Sequence, residues 1–185
     1  MKTLRWVMLA VALALVGGLI YVVATSTKER QPTPEEIAYE IVGLVNKGRR
    51  AQGLEPLVIN EQLTWMAQRR SQDMIDGEYY SHTPPPGHPT LGDMCEELGY
   101  QRLHRPVENL VGGPVDEQHL DQVPEEVLSS WRSSPGRWDW IVDRHQEMTG
   151  VGVAIGDGRI VVTQLFWEKA GFTPAGASQY NGEAP

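Results

Sequence analysis

The sequence predicts an α+β layered domain, with its helices first and its strands last. Two observations carry this. Apolar residues recur at helical spacing from Ile37 to Ile75, and two runs rich in Val, Ile and Thr close the chain at Thr149–Ile155 and Arg159–Trp167. At 185 residues, with 41% hydrophobic and 22% charged residues, the chain has enough apolar material for one core plus accessory segments.

The N-terminus is read as an export signal or an anchor over residues 1–24. Trp6 to Ala24 is uncharged and almost wholly apolar, with Lys2 and Arg5 before it. Its length suits the hydrocarbon core of a bilayer, and Val22-Val23-Ala24 could instead serve as a small-residue cleavage site. Both readings place the body outside the cytoplasm, held at the membrane by a single N-terminal span or secreted. Residues 25–33 form a polar linker, 34–168 the globular domain, and 169–185 a flexible tail rich in Gly, Ala, Pro and Ser.

Within the domain each element has a local reason. Thr33-Pro34-Glu35-Glu36 combines a capping residue, a proline at the first helical position and the glutamate of a capping box. Ile37, Ile41, Leu44 and Val45 follow at helical spacing until Gly53. A second helix starts at Asn60 and carries Leu63, Met66, Ala67, Met74 and Ile75 to Gly77. A short third helix runs from Thr90 to Gly99, and a fourth follows Pro124 through Val127, Leu128 and Trp131. Gly156-Asp157-Gly158 between the last two apolar runs marks a β-hairpin.

Several chemistries are disfavoured. The formal charge is −8, and Lys2 and Arg5 are the only charges among the first 24 residues, so the body is more acidic still; a nucleic acid partner is not expected. Cys95 is the single cysteine, which precludes an internal disulfide and disfavours a thiolate zinc site. Gly150-Val151-Gly152 with Gly156 imitates a dinucleotide fingerprint, but the spacing is wrong and a strand follows. HExxH and GxSxG are absent, and Ser133-Ser134-Pro135-Gly136 reads as a turn.

Five segments stand in a telling order: LVNKGRRAQGLEPLVINEQLTWMAQ, YYSHT, VENLV, EEVLSSWRSSPGR and GVGVAIGDGRIVVTQLF. Together they resemble the CAP superfamily (cysteine-rich secretory proteins, antigen 5 and pathogenesis-related proteins; the SCP-like extracellular domain), in its bacterial disulfide-free branch. The resemblance implies a CAP-like α–β–α sandwich with a central cleft in which two histidines and two acids can hold a divalent ion such as zinc. Carried over by position, the first histidine is His82, the first acid Glu108 and the second Glu126, five residues before Trp131. The branch ends the later turn as SPGH, whereas this chain has Arg137 there, followed by Trp138-Asp139-Trp140.

Guanidinium is a permanent cation with donors only, so it cannot ligate a metal. The expectation is that no metal is held, and that Arg137 replaces the ion by pairing with Glu108, Glu126 or both. A metal, if bound, would have His82, Glu108 and Glu126. Each residue also has a plain reading: a hydrogen-bonded buried histidine, a turn acid, a first-turn helix acid and a surface arginine. His145 is the one histidine that could stand in for the missing ligand; His88, His104 and His119 have no claim on the cleft. Trp138 and Trp140, if extended, point to one side and would offer a contact site for a peptide, glycan or membrane; core packing is the alternative.

The functions implied are a non-enzymatic binding or interaction module for a lipid, peptide or envelope ligand, or a metal-dependent hydrolase with an incomplete His/Glu ligand set.

Overall fold

The computed structural model describes residues 30–100 and 106–168. The N-terminal segment, His104 and the C-terminal tail therefore lie outside the described residues. In chain order the elements are α1 (Pro34–Ala51), β1 (Val58–Ile59), α2 (Glu61–Asp76), α3 (Leu91–Glu97), β2 (Val107–Pro114), a 3₁₀ turn (Leu120–Gln122), α4 (Val123–Arg132), α5 (Pro135–Ile141), β3 (Met148–Gly156) and β4 (Arg159–Trp167).

The helix starts form as their sequences dictate. Thr33 and Thr90 each close a capping box, with Glu36 and Asp93, and Asn60 accepts from the Leu63 amide. The sheet runs β1-β3-β4-β2, with β1 parallel to β3 and the other pairs antiparallel. Two features escaped the sequence reading. VENLVGGP is a strand, β2, and forms one edge of the sheet. Ser134-Pro135-Gly136 opens helix α5 rather than a turn, with Pro135 at its first position.

Strand residues alternate between two helical layers, which makes an α–β–α sandwich. On one face Ile37, Ile41 and Val45 of α1 and Trp131 of α4 pack with Val153, Val162 and Phe166. On the other, α2 places Leu63, Met66 and Ala67 against Leu165 and Trp167, and Met74 against Leu110, Ala154 and Val161. Cys95 is buried in this second layer as a small hydrophobe.

Two arginines interrupt these apolar stripes. Arg49 of α1 is 2% exposed and donates to four carbonyls: Glu55 at 2.8 Å, Ile141 at 2.7 Å, Asp143 at 2.8 Å and Gln146 at 3.1 Å. It ties the end of α1 to the connection between α5 and β3, and satisfies backbone acceptors that have no strand or helix partner there. Arg70 of α2 does a different job, at the candidate site.

Candidate functional site

Arg70 sits at a core position of α2, level with Leu63, Met66, Ala67 and Met74, and is fully buried. A buried guanidinium needs its donors matched. Its Nε donates to Glu108 Oε1 at 3.1 Å, one Nη to the Tyr79 hydroxyl at 2.7 Å and the other to the Ser81 carbonyl at 2.5 Å. Glu108 projects from β2 toward the α2 layer, and its side chain is 5% exposed. Its second oxygen, Oε2, lies 2.7 Å from His82 Nδ1. The imidazole itself is 62% exposed. The result is a His82–Glu108–Arg70 chain that runs from solvent to the core.

Burial pushes the Glu108 carboxyl above its ordinary value, and the Arg70 and His82 contacts pull it back only in part. Behind Arg70 the chain continues. The Tyr79 hydroxyl donates to Asp73 Oδ2, and Asp73 Oδ1 lies 2.9 Å from His88 Nδ1. Tyr79 and His88 also meet edge to face, with centroids 5.1 Å apart. His88, expected to have no claim on the cleft, meets Asp73 and Tyr79 and so ties the loop that carries His82 to α2.

Burial, reinforced by the Asp73 hydrogen bond, pushes the Tyr79 phenol up to about 12. The neutral phenol is favoured in the fold, so its stabilising effect is complete below pH 10 and is lost as pH rises through about 12. In an absorbance titration of phenolate, Tyr79→Phe should remove one late-ionising tyrosine. Complete titration of the parent near pH 10 would contradict this bond.

A pocket of about 410 Å³ opens beside the pair, lined by His82, Thr83, Pro84, Thr90, Leu91, Pro106 and Glu108. Glu126 does not line it. Glu126 is exposed on α4 and lines a second pocket of about 450 Å³, with Val111, Gly113, Asp116 and His119. The reason is strand parity. Glu108 faces the α2 layer, whereas Val111 and Val115 pack with the α1–α4 layer, so the two acids belong to opposite sides of β2.

The expected pairing of Arg137 with Glu108 or Glu126 is therefore corrected. Glu108 takes its cation from Arg70, and no ion pair of Arg137 is present among the described residues. Arg137 is half-buried on α5. Its carbonyl accepts from Asn109 Nδ2 at 3.0 Å, and its charge acts on the Tyr80 phenol. Burial raises that phenol, with Arg137 lowering it and Glu108 raising it further.

Trp138 and Trp140 do not share a side either. Helical rotation separates residues two apart by about 200°. Trp138 packs on Gly48 and under Arg132, 5.1 Å from its ring centroid, while Trp140 is 42% exposed beside Asp139 and Asp143. His145 pairs with Asp143 at 2.9 Å, and His119 with Asp116 at 2.8 Å.

The donor set does not fit a divalent ion as it stands. Both Glu108 oxygens are engaged, one by a permanent cation, and His82 Nδ1 is turned to the same carboxylate, leaving Nε2. The three residues nominated as ligands do not gather, and among the described residues no three His, Cys, Asp or Glu side chains form such a group.

Comparison with known proteins places these observations in a lineage. A profile described as CAP, Cysteine-rich secretory protein family, matches residues 42–166. The uncharacterized protein YkwD of Bacillus subtilis (strain 168) is 33% identical over 149 residues, covering 77% of this chain and 52% of that protein. The chain thus spans about half the length of that relative. Among solved structures, an outer surface protein from Borrelia burgdorferi superposes with a TM-score of 0.56 at 14% identity, covering 74% of this chain and 96% of that one. An extracellular protein containing a SCP domain from Bacillus anthracis str. Ames gives 0.53 at 22% identity, covering 76% and 45%. At such identities the structures speak to the fold.

Proposed function

The chain belongs to the CAP family, and from that premise we propose that it is a non-enzymatic binding module displayed outside the cytoplasm, whose cleft is held by an internal arginine where a metal ion would otherwise sit. The observation that carries this reading is the occupation of both Glu108 oxygens, by Arg70 and by His82. A carboxylate already neutralised by a buried guanidinium has little to offer a divalent ion, and Arg137 at the position of the second histidine supplies no ligand. The metal-dependent hydrolase reading needs three donors on one open ion. Here Glu126 lines a separate pocket on the other side of β2, and within the His82–Glu108 pair both Glu108 oxygens and His82 Nδ1 are already engaged.

Export rests on the sequence: the apolar run Trp6–Ala24, as anchor or cleaved signal, would deliver residues 34–168 across the membrane, with 25–33 as linker and 169–185 as tail. The Bacillus anthracis relative is named as an extracellular protein, which agrees. No helix among the described residues is long and apolar enough to cross a membrane.

Calorimetric titration of the full chain in detergent with zinc tests the reading. The parent should show no stoichiometric binding, and Arg70→Met combined with Arg137→His should gain it. One tight zinc per chain in the parent, abolished by His82→Ala, would overturn the arginine-held cleft.

A further inference from the structure

The second pocket has properties that the His82–Glu108 site does not use. It lies along the outer edge of β2, from Val111 to Val115, facing α4. Among the described residues β2 pairs with β4 alone, on one side. Which of its backbone groups point outward follows from the register. The Val115 amide donates to Gly158 O at 2.9 Å, and antiparallel pairs alternate between bonded and unbonded. Gly113 therefore bonds to Ile160, while Glu108, Leu110, Gly112 and Pro114 turn their polar groups away from β4. Leu110 is 1% exposed, so this part of the edge is covered, but Gly112 and Pro114 are exposed. The N–H and C=O of Gly112 and the C=O of Pro114 make no hydrogen bond among the described residues. An unpaired strand edge is a template for a further strand.

The pocket beside this edge specifies what such a strand would carry. Val111, Val123, Val127 and Ile160 give it an apolar wall, and Glu126 places a carboxylate at its exposed rim, beside Asp116, whose two oxygens are met by the Gln118 amide and His119. Neither Lys nor Arg lines it. An aliphatic wall with an acidic rim matches the stem and the charged head of a lysine or arginine. Gly113 completes the access. It shares the face of Val111 and Val115, and a Cβ built on it meets nothing within 4 Å.

We propose that this chain binds an extended basic peptide by β-strand addition to the free edge at Gly112–Pro114, with a Lys or Arg side chain of the peptide seated in the pocket between β2 and α4. Gly112 would exchange both its N–H and its C=O with one peptide residue, and Pro114, which lacks an N–H, would accept from another. The peptide residue facing Gly113 then directs its side chain toward Glu126. This names a ligand class for the binding-module reading and rests on that reading, but it uses a different face of β2 from the arginine-held pair.

The test is fluorescence anisotropy of the full chain in detergent with a fluorescein-labelled, end-blocked pentapeptide of sequence Val-Thr-Lys-Val-Thr, alongside ¹⁵N-glycine spectra. Binding should shift the Gly112 amide, weaken as salt rises, and fall about tenfold or more in Gly113→Leu, whose side chain starts from a Cβ that meets nothing within 4 Å and extends into the pocket the peptide side chain would need. Glu126→Gln should weaken it severalfold. Equal binding of the same peptide with Glu for Lys, an unshifted Gly112 amide, or unchanged affinity in Gly113→Leu would each overturn the proposal. So would binding by pentylamine as tight as by the peptide, since a cation pocket alone needs no strand. Zinc titration separates the two readings: a metal-binding parent sinks the arginine-held cleft, whereas a silent peptide titration with no zinc binding sinks the strand addition alone.

Discussion

Arg70→Met is expected to destabilise the fold by about 3–5 kcal/mol at neutral pH, measured by chemical denaturation. The reason lies in what is left behind. Glu108 is 5% exposed, and without Arg70 it keeps only the His82 contact from the solvent side. The Tyr79 hydroxyl and the Ser81 carbonyl lose their donor at the same time. An uncompensated buried carboxylate is the dominant cost, so neutralising it should recover much of the loss. Arg70→Met with Glu108→Leu should lie well above Arg70→Met alone, with a coupling of about 2 kcal/mol or more. The pH dependence has a definite sign. Burial already raises the Glu108 carboxyl, and removing Arg70 removes the largest influence that lowers it. Protonation then relieves the variant, and its deficit should shrink as pH falls below the raised value. A loss under about 1 kcal/mol, or a deficit constant with pH, would show that Arg70 does not hold Glu108.

The same residue shows what the sequence made legible. Leu63, Met66, Ala67 and Met74 define the buried stripe of α2, and Arg70 falls inside it, just as Arg49 falls inside the stripe of Ile41, Val42 and Val45. A charged residue at a core position is the signal that could have identified both, because burial obliges it to find partners. Motif positions were instead carried over one at a time, which nominated Arg137 as the cation. Which cation reaches a buried carboxylate depends on the face of the strand it leaves, and β2 was not recognised as a strand because Glu108, Asn109 and two glycines hide its alternation. Caps and the hairpin were legible because their determinants are local. Thr33, Asn60, Thr90 and Asp157-Gly158 act within a few residues of themselves, and Asp157 and Gly158 both take the positive φ such a turn requires. The Trp138–Trp140 pair failed for the converse reason. Its geometry turns on whether Pro135 begins a helix, which the preceding serines and Gly136 disguise.

Gly152→Ala is expected to be the most damaging small substitution in the domain, costing more than about 4 kcal/mol or preventing folding. Gly150-Val151-Gly152 is no phosphate loop; it is where β3 and α2 touch. A Cβ on Gly152 would lie 2.1 Å from the Gln68 amide nitrogen, and one on Gly150 2.2 Å from that of Thr64. These neighbours are helix backbone and cannot swing aside. The docking is also bonded. Gln68 exchanges two 3.0 Å hydrogen bonds with the Val153 backbone, and Ser71 donates to the Gly152 carbonyl at 3.0 Å. A methyl group therefore forces α2 outward and breaks these bonds together. Gly113→Ala is the matched control, since its Cβ meets nothing and should change stability by less than about 0.5 kcal/mol. A Gly152→Ala protein as stable as that control would disprove the close approach. The consequence reaches the site, because α2 is the element that carries Arg70. Any variant that lifts the helix off β3 should also release Glu108, whereas Arg70→Met releases Glu108 with the helix still seated. Protection of the Val153 amide, which donates to Gln68 Oε1, read from amide exchange, distinguishes the two.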